Sequence, residues 1–121
     1  MNESIYSIIA RIALDTTSIL RKGELIKGSP LKQYQSDVAI DMRSLDDLIS
    51  QAKEKGQLCR FTYFVRESGT HLLPSYNNEA AAQIEYLLAH HTVLRRYECT
   101  VNPNGTGTCI EVQPDGQAIA A

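Results

Sequence analysis

Three histidines, three cysteines and scattered carboxylates are the side chains of this 121-residue chain with the means for acid–base, nucleophilic or metal chemistry. His71 stands in a leucine-rich stretch, and His90-His91 close a helix-like run. Metal sites draw their ligands from spacings such as CxxC or HxxxH, and none is present. Neighbouring histidines on a helix point about 100° apart and cannot readily share an ion. A histidine at a helix carbonyl end is also favoured by the macrodipole. The expectation is a protein with no metal and no cofactor.

Cys59 or Cys99 paired with His71 would make a nucleophile only if the thiolate were accessible and near a positive group. Both cysteines instead alternate with Phe, Tyr and Val, as buried structural cysteines do. An odd number of cysteines (Cys59, Cys99 and Cys109) without a close pair is a poor disulfide framework. Three free thiols and a reducing, cytoplasmic location are expected.

Ser68-Gly69-Thr70 and Asn104-Gly105-Thr106-Gly107 resemble phosphate-cradling loops only superficially. Such loops need a strand before them and a helix directly after. Asp46-Asp47 suits a helix start, and Glu79 and Glu85 lie off any shared helical face. No catalytic residues and no enzyme activity are expected.

Two groups point instead to binding. Arg60 and Arg66 flank Phe64 on one strand-like run, and Arg96 lies on another beside Tyr97. Were those strands neighbours, Arg60, Arg66, Arg96, Tyr63 and Tyr97 would form a surface able to stack bases and hold phosphates. Competing with this is the ordinary use of Arg at solvated strand positions. The second group is the apolar loop Thr70–Tyr76, where Leu72, Leu73 and Tyr76 either cover the core or anchor a partner.

The elements that position these residues follow from periodicity. Ile5, Ile8, Ile9, Ile12, Thr16, Ile19 and Leu20 form one helical stripe, opened by Asn2 and stopped by Arg21-Lys22-Gly23. Gly28-Ser29-Pro30 reads as a break. Asp37–Met42 alternates as a short strand with Val38, Ile40 and Met42 on one face. Ser44 starts a second helix through Leu45, Leu48, Ile49 and Ala52, ending at Lys53, Lys55 and Gly56. Residues 57–66 are a strand apolar on both faces, hence central or partner-bound. A loop spans Glu67–Asn77, and Asn77 or Asn78 caps a third helix through Ala80, Ile84, Leu87, Leu88 and His91. Val93–Val101 and Thr108–Gln113 form a hairpin around Asn102–Gly107.

The order predicts an α+β fold: a small, three- to four-stranded, mainly antiparallel sheet with a C-terminal hairpin, covered by about three helices in a single layer. Residues 1–113 form one domain and 114–121 a flexible tail. The size supports a self-sufficient core. Glu3 before the first apolar run, and Arg11 and Asp15 within it, are unlike a signal peptide, and no membrane span is expected.

The net charge is −2, with eight residues of each sign in 1–56 and four basic against six acidic in 57–121. That balance lacks the bulk positive field of non-specific nucleic-acid binders. No motif matches a family. The profile (small, acidic, single-domain and motif-free) is that of many phage- and plasmid-encoded accessory proteins, including anti-CRISPR and antirestriction inhibitors. The expected function is therefore non-enzymatic binding, with inhibition, of a protein partner or ribonucleoprotein complex, through Leu72, Leu73, Tyr76, Arg60, Arg66 and Arg96. A nucleic-acid-associated protein using the arginine face is the alternative, and a minimal enzyme with a site assembled from distant residues the third reading.

Overall fold

The computed structural model describes residues 3–22, 29–66, 69–75 and 79–119, with side chains described for 3–15, 36–66, 69–75 and 79–119. The elements are β1 (Glu3–Ser4), α1 (Ile5–Lys22), α2 (Ser29–Lys55), β2 (Cys59–Arg66), β3 (Gly69–Pro74), α3 (Ala80–His90), β4 (Val93–Val101) and β5 (Thr106–Val112). The strands form one antiparallel sheet in the order β1-β5-β4-β2-β3. The α+β class and the three helices agree with the sequence reading. The sheet has five strands among the described residues rather than three or four.

Period-2 packing explains the centre. β2 lies between β4 and β3, and both of its faces are buried. Cys59, Phe61, Tyr63 and Val65 join Leu72 of β3, Tyr97, Cys99 and Val101 of β4, and the apolar sides of α1 and α2 in the main core. Ile5, Ile8, Ile9 and Ile12 supply the α1 side, as their spacing predicts. Asn2, Thr16, Ile19 and Leu20, read as the cap and the remainder of that stripe, lie outside the described residues and side chains.

On the opposite face Phe64 and Leu73 meet Leu87 of α3, with Ile84 and Val93 packed against them. The helices therefore cover both sides of the sheet, not one. The single-layer expectation fails because Phe64 and Leu73 become neighbours only through the pairing of β2 with β3. The register Thr62↔Leu73, Phe64↔His71 aligns them diagonally on one face.

Three sequence readings are corrected by α2. Pro30 does not break the chain but sits in the first turn of α2, where a missing N–H costs nothing. Residues 37–42 are interior helix rather than strand. Their six-residue alternation also fits one and a half helical turns, and the most deeply buried side chains among them are the polar ones. Asp37 and Asp41 are buried, while Ile40 is 55% exposed. Asp46, read as a residue of the helix start, lies mid-helix and accepts a hydrogen bond from the Tyr6 hydroxyl of α1.

The loop expected over 67–77 contains β3. Thr70 and Leu72 turn toward α2, and His71 and Leu73 toward α3, as strand alternation requires. β3 is an edge strand, and its edge is blunted. Ser75 donates its amide to the Arg60 carbonyl, so alternation turns the amides of Thr70 and Leu72 outward. Asp37 of α2 takes the Thr70 amide at 2.9 Å, and Pro74 has no amide to offer.

The β4–β5 hairpin turns at Asn102–Gly105, where the Gly105 amide donates to the Asn102 carbonyl and Gly105 adopts φ +84°. The Gly105 carbonyl accepts the Ile5 amide at 3.0 Å, tying the start of α1 to the turn. At Gly107 a Cβ would lie 2.2 Å from the Thr100 carbonyl oxygen, so only glycine fits there. The segment read as a flexible tail folds back at its start. Gln113 donates its amide to Gln117, and Val112 bridges to Ala118.

The hairpin also overturns the expectation of three free thiols. The Asn102 amide bonds to the Thr106 carbonyl, which by alternation makes Cys99 and Cys109 a non-hydrogen-bonded pair, the closer kind. Their Cα atoms are 4.1 Å apart and their sulfurs are bonded, leaving Cys59 as the buried free thiol. Ten residues of separation concealed a contact that the hairpin register dictates. Air-oxidised protein, denatured under thiol blockade, should therefore titrate one thiol per chain. Reduction should lower stability by about 3 kcal/mol, the loop entropy released to the unfolded chain. A count of three would show the pair to be open.

Candidate functional site

α3 crosses the outer face of the sheet and leaves a groove of about 850 Å³ between itself and β3. Alternation along β3 sends His71 and Leu73 toward this groove. The 3.6-residue period of α3 sends Leu87 down onto Leu73 and leaves Ala82, Gln83 and Tyr86 along the rim. Tyr86 is 64% exposed and packs its ring against His90, with centroids 4.3 Å apart. Glu79 lies at the amino end of α3; His91, just past its carboxyl end, lines the groove with Arg66 and His71.

The cationic end is positioned by the β2–β3 pairing. Arg66 faces Gly69 across the ladder, and its guanidinium donates to the carbonyls of Gly69 and Thr70 at 3.3 Å each. His71 keeps an edge in solvent. Partial burial against the groove wall nevertheless holds its pKa below the ordinary histidine value, and Arg66 and His91 push the same way while Asp37 opposes them.

Behind β3, on the inner face, lies a buried polar cluster. Asp41 is 3% exposed and accepts hydrogen bonds at one oxygen from the Tyr63 hydroxyl (2.9 Å) and the Thr70 hydroxyl (2.6 Å). Burial raises the Asp41 pKa, outweighing the two hydroxyl bonds that lower it. Burial and the neighbouring Asp41 likewise push the Tyr63 phenol well above its ordinary value, so it stays a neutral donor. This cluster ties α2 to β2 and β3, and Asp41, Tyr63 and Thr70 are not among the residues that line the groove.

The residues expected to form the site separate. Leu72 is buried in the main core, and Leu73 forms part of the groove floor. Neither projects into solvent as a loop anchor would. Tyr76 lies outside the described residues. Arg60 is exposed on the outer face, and Arg66 belongs to the groove. Arg96 is largely spent: it pairs with Glu98 at 2.9 Å, donates to the Pro114 carbonyl and stacks 5.4 Å over the Phe64 ring. Tyr63 and Tyr97 point to the inner face and are buried, opposite Arg60 and Arg96. The aromatic-basic surface is not assembled, because residues adjacent in sequence take opposite faces of a strand.

What the sequence reading missed is the Arg66–His71–His91 grouping. Twenty residues separate the two histidines, and only the β3–α3 packing brings them to one end of one groove. Among the described residues no group of three or more His, Cys, Asp or Glu could hold a metal ion, and no helix is long and apolar enough to cross a membrane. Comparisons with protein families, curated proteins and solved structures found no match to this chain.

Proposed function

We propose that this chain is a small non-enzymatic binding protein that engages a protein partner, free or within a ribonucleoprotein complex, through the β3–α3 groove. The observation that supports this is the groove itself, with an apolar floor of Leu73 and Leu87 and an exposed Tyr86 on its rim. Exposed tyrosine beside a desolvated apolar floor is the composition of interface anchors. Cys59 and Cys99 are both buried, so neither is poised as an accessible nucleophile. The nucleic-acid alternative loses support with the separation of Tyr63 and Tyr97 from Arg60 and Arg96.

A single binding groove acts most simply by occupying its partner. We extend the proposal to inhibition of a host complex in the cytoplasm, as phage- and plasmid-encoded anti-defence factors do. In that reducing compartment the Cys99–Cys109 pair would stand open, with the ladder and the Thr100–Thr108 hydroxyl bond holding the hairpin.

Affinity isolation from the native host should recover a protein with the wild type and with Ile110→Arg, on the far part of the outer face. Tyr86→Arg should reduce recovery at least tenfold, as loss of a hot spot does. Equal recovery with Tyr86→Arg would remove the groove from the function. Recovery abolished by nuclease would favour the nucleic-acid reading.

A further inference from the structure

We propose that Arg66, His71 and His91 form a carboxylate subsite at one end of the β3–α3 groove, and that its occupant is an extended acidic segment of a protein. The proposal rests on reading the groove as the partner-binding surface and adds the chemistry of what it receives.

Three observations carry it. First, all the histidine and arginine side chains of the groove lie at one end. Glu79 lies at the other, so the potential along the groove is polarised. Second, Arg66 is already oriented by the Gly69 and Thr70 carbonyls. These bonds use two of its five N–H donors, and a fixed guanidinium suits a carboxylate. Third, the positive charge at this end is under-compensated. The groups facing His71 are Arg66 from β2, His91 beyond α3 and Asp37 from α2. The first two disfavour its protonation, and Asp37 alone opposes them. An arriving carboxylate would relieve that repulsion. The carbonyl end of α3 contributes only a partial negative charge against the permanent positive charge of Arg66.

Groove dimensions and lining select the source. α3 has 11 residues and spans roughly 16 Å, the length of about five residues of extended chain. Its floor is apolar between the charged ends. A nucleic acid would need a run of cations to follow successive phosphates, whereas this groove holds one arginine. A segment with a single Asp or Glu, or a chain terminus, followed by alternating apolar side chains fits both parts.

The probe is a displayed library of linear seven-residue segments, panned on the whole protein at about pH 5.5, well below the ordinary histidine pKa because that of His71 is lowered. The selected segments should be enriched in an Asp or Glu next to alternating Leu, Val or Ile. A synthetic peptide of the selected sequence should bind Arg66→Gln about tenfold more weakly than wild type. His91→Gln, past the end of α3 and outside the core, gives a second reading should Arg66→Gln unfold. Replacing the peptide's Asp by Asn should produce the same loss in wild type and little further loss in either variant. Binding should tighten as the pH falls from about 7.5 to 5.5, and this dependence should shrink in His71→Gln. Inorganic phosphate and a ten-residue oligothymidine should not displace the peptide. Selection without acidic bias, unchanged affinity in both variants, or displacement by the oligonucleotide would overturn the subsite. Partner capture that still depends on Tyr86 would then show the groove reading to survive without it.

Discussion

Ile9→Asp is expected to abolish the cooperative thermal unfolding transition, whereas Leu14→Asp, further along the same helix, is expected to leave it nearly unchanged. Ile9 is 0% exposed within the main core, and Leu14 is 68% exposed. A carboxylate at Ile9 would be buried among Ile, Leu and Phe side chains, without a cation to pair with. The penalty for such a charge is several kcal/mol, comparable with the whole stability of a domain this size. At Leu14 the same substitution meets water and should change stability by ~0.5 kcal/mol or less. Calorimetry on the two variants is the measurement. A cooperative Ile9→Asp transition within a few degrees of wild type would mean that α1 does not seat its isoleucines on the sheet.

Asp41 should behave unlike most buried carboxylates when replaced. Asp41→Ala leaves the Tyr63 and Thr70 hydroxyls without their shared acceptor in a closed space, and each orphaned donor costs about 1–3 kcal/mol. Asp41→Asn keeps an oxygen in place and removes the charge. The sign with pH follows from the direction of the shift. Burial raises the folded pKa of Asp41 above its unfolded value, so its favourable contribution is complete only below the unfolded pKa. That contribution is lost as pH rises through the folded one. Asp41→Asn should therefore match wild type near about pH 3 and become the more stable protein as pH rises to about 7. Melting curves across that range decide it. A wild type more stable than Asp41→Asn at neutral pH would show the ionised carboxylate to be well compensated.

Such a residue is informative about the fold because it costs stability where an amide would serve. Its role is to clamp α2 onto β3, and Asp37 extends the clamp by closing the outward Thr70 amide. The β3 edge is thereby denied to other chains, and recognition shifts to the groove on the outer side. The buried cluster and the groove are thus two sides of the same strand.

Periodicity alone determined much of this protein. The isoleucine stripe specifies α1, because seven positions at helical spacing suit no strand. Residues 57–66 alternate as a strand apolar on both faces, and NPNGTG between two β-rich runs specifies a hairpin. The order of the elements specified the α+β class. Short or polar segments were not legible. Six alternating residues at 37–42 satisfy both periods, and nothing local says that Asp37 and Asp41 go inward. That was decided by the hydroxyls of Tyr63 and Thr70, which arrive from two other elements. Leu72 and Leu73 looked like loop anchors because Gly69 and Pro74 bracket them. Pairing with β2 turned them to opposite faces of the sheet. Cys99 met Cys109, and Arg66 and His71 met His91, only through strand register and the docking of α3. Local sequence carries local periodicity, whereas a site built from three elements exists only once long-range packing has set their register and faces.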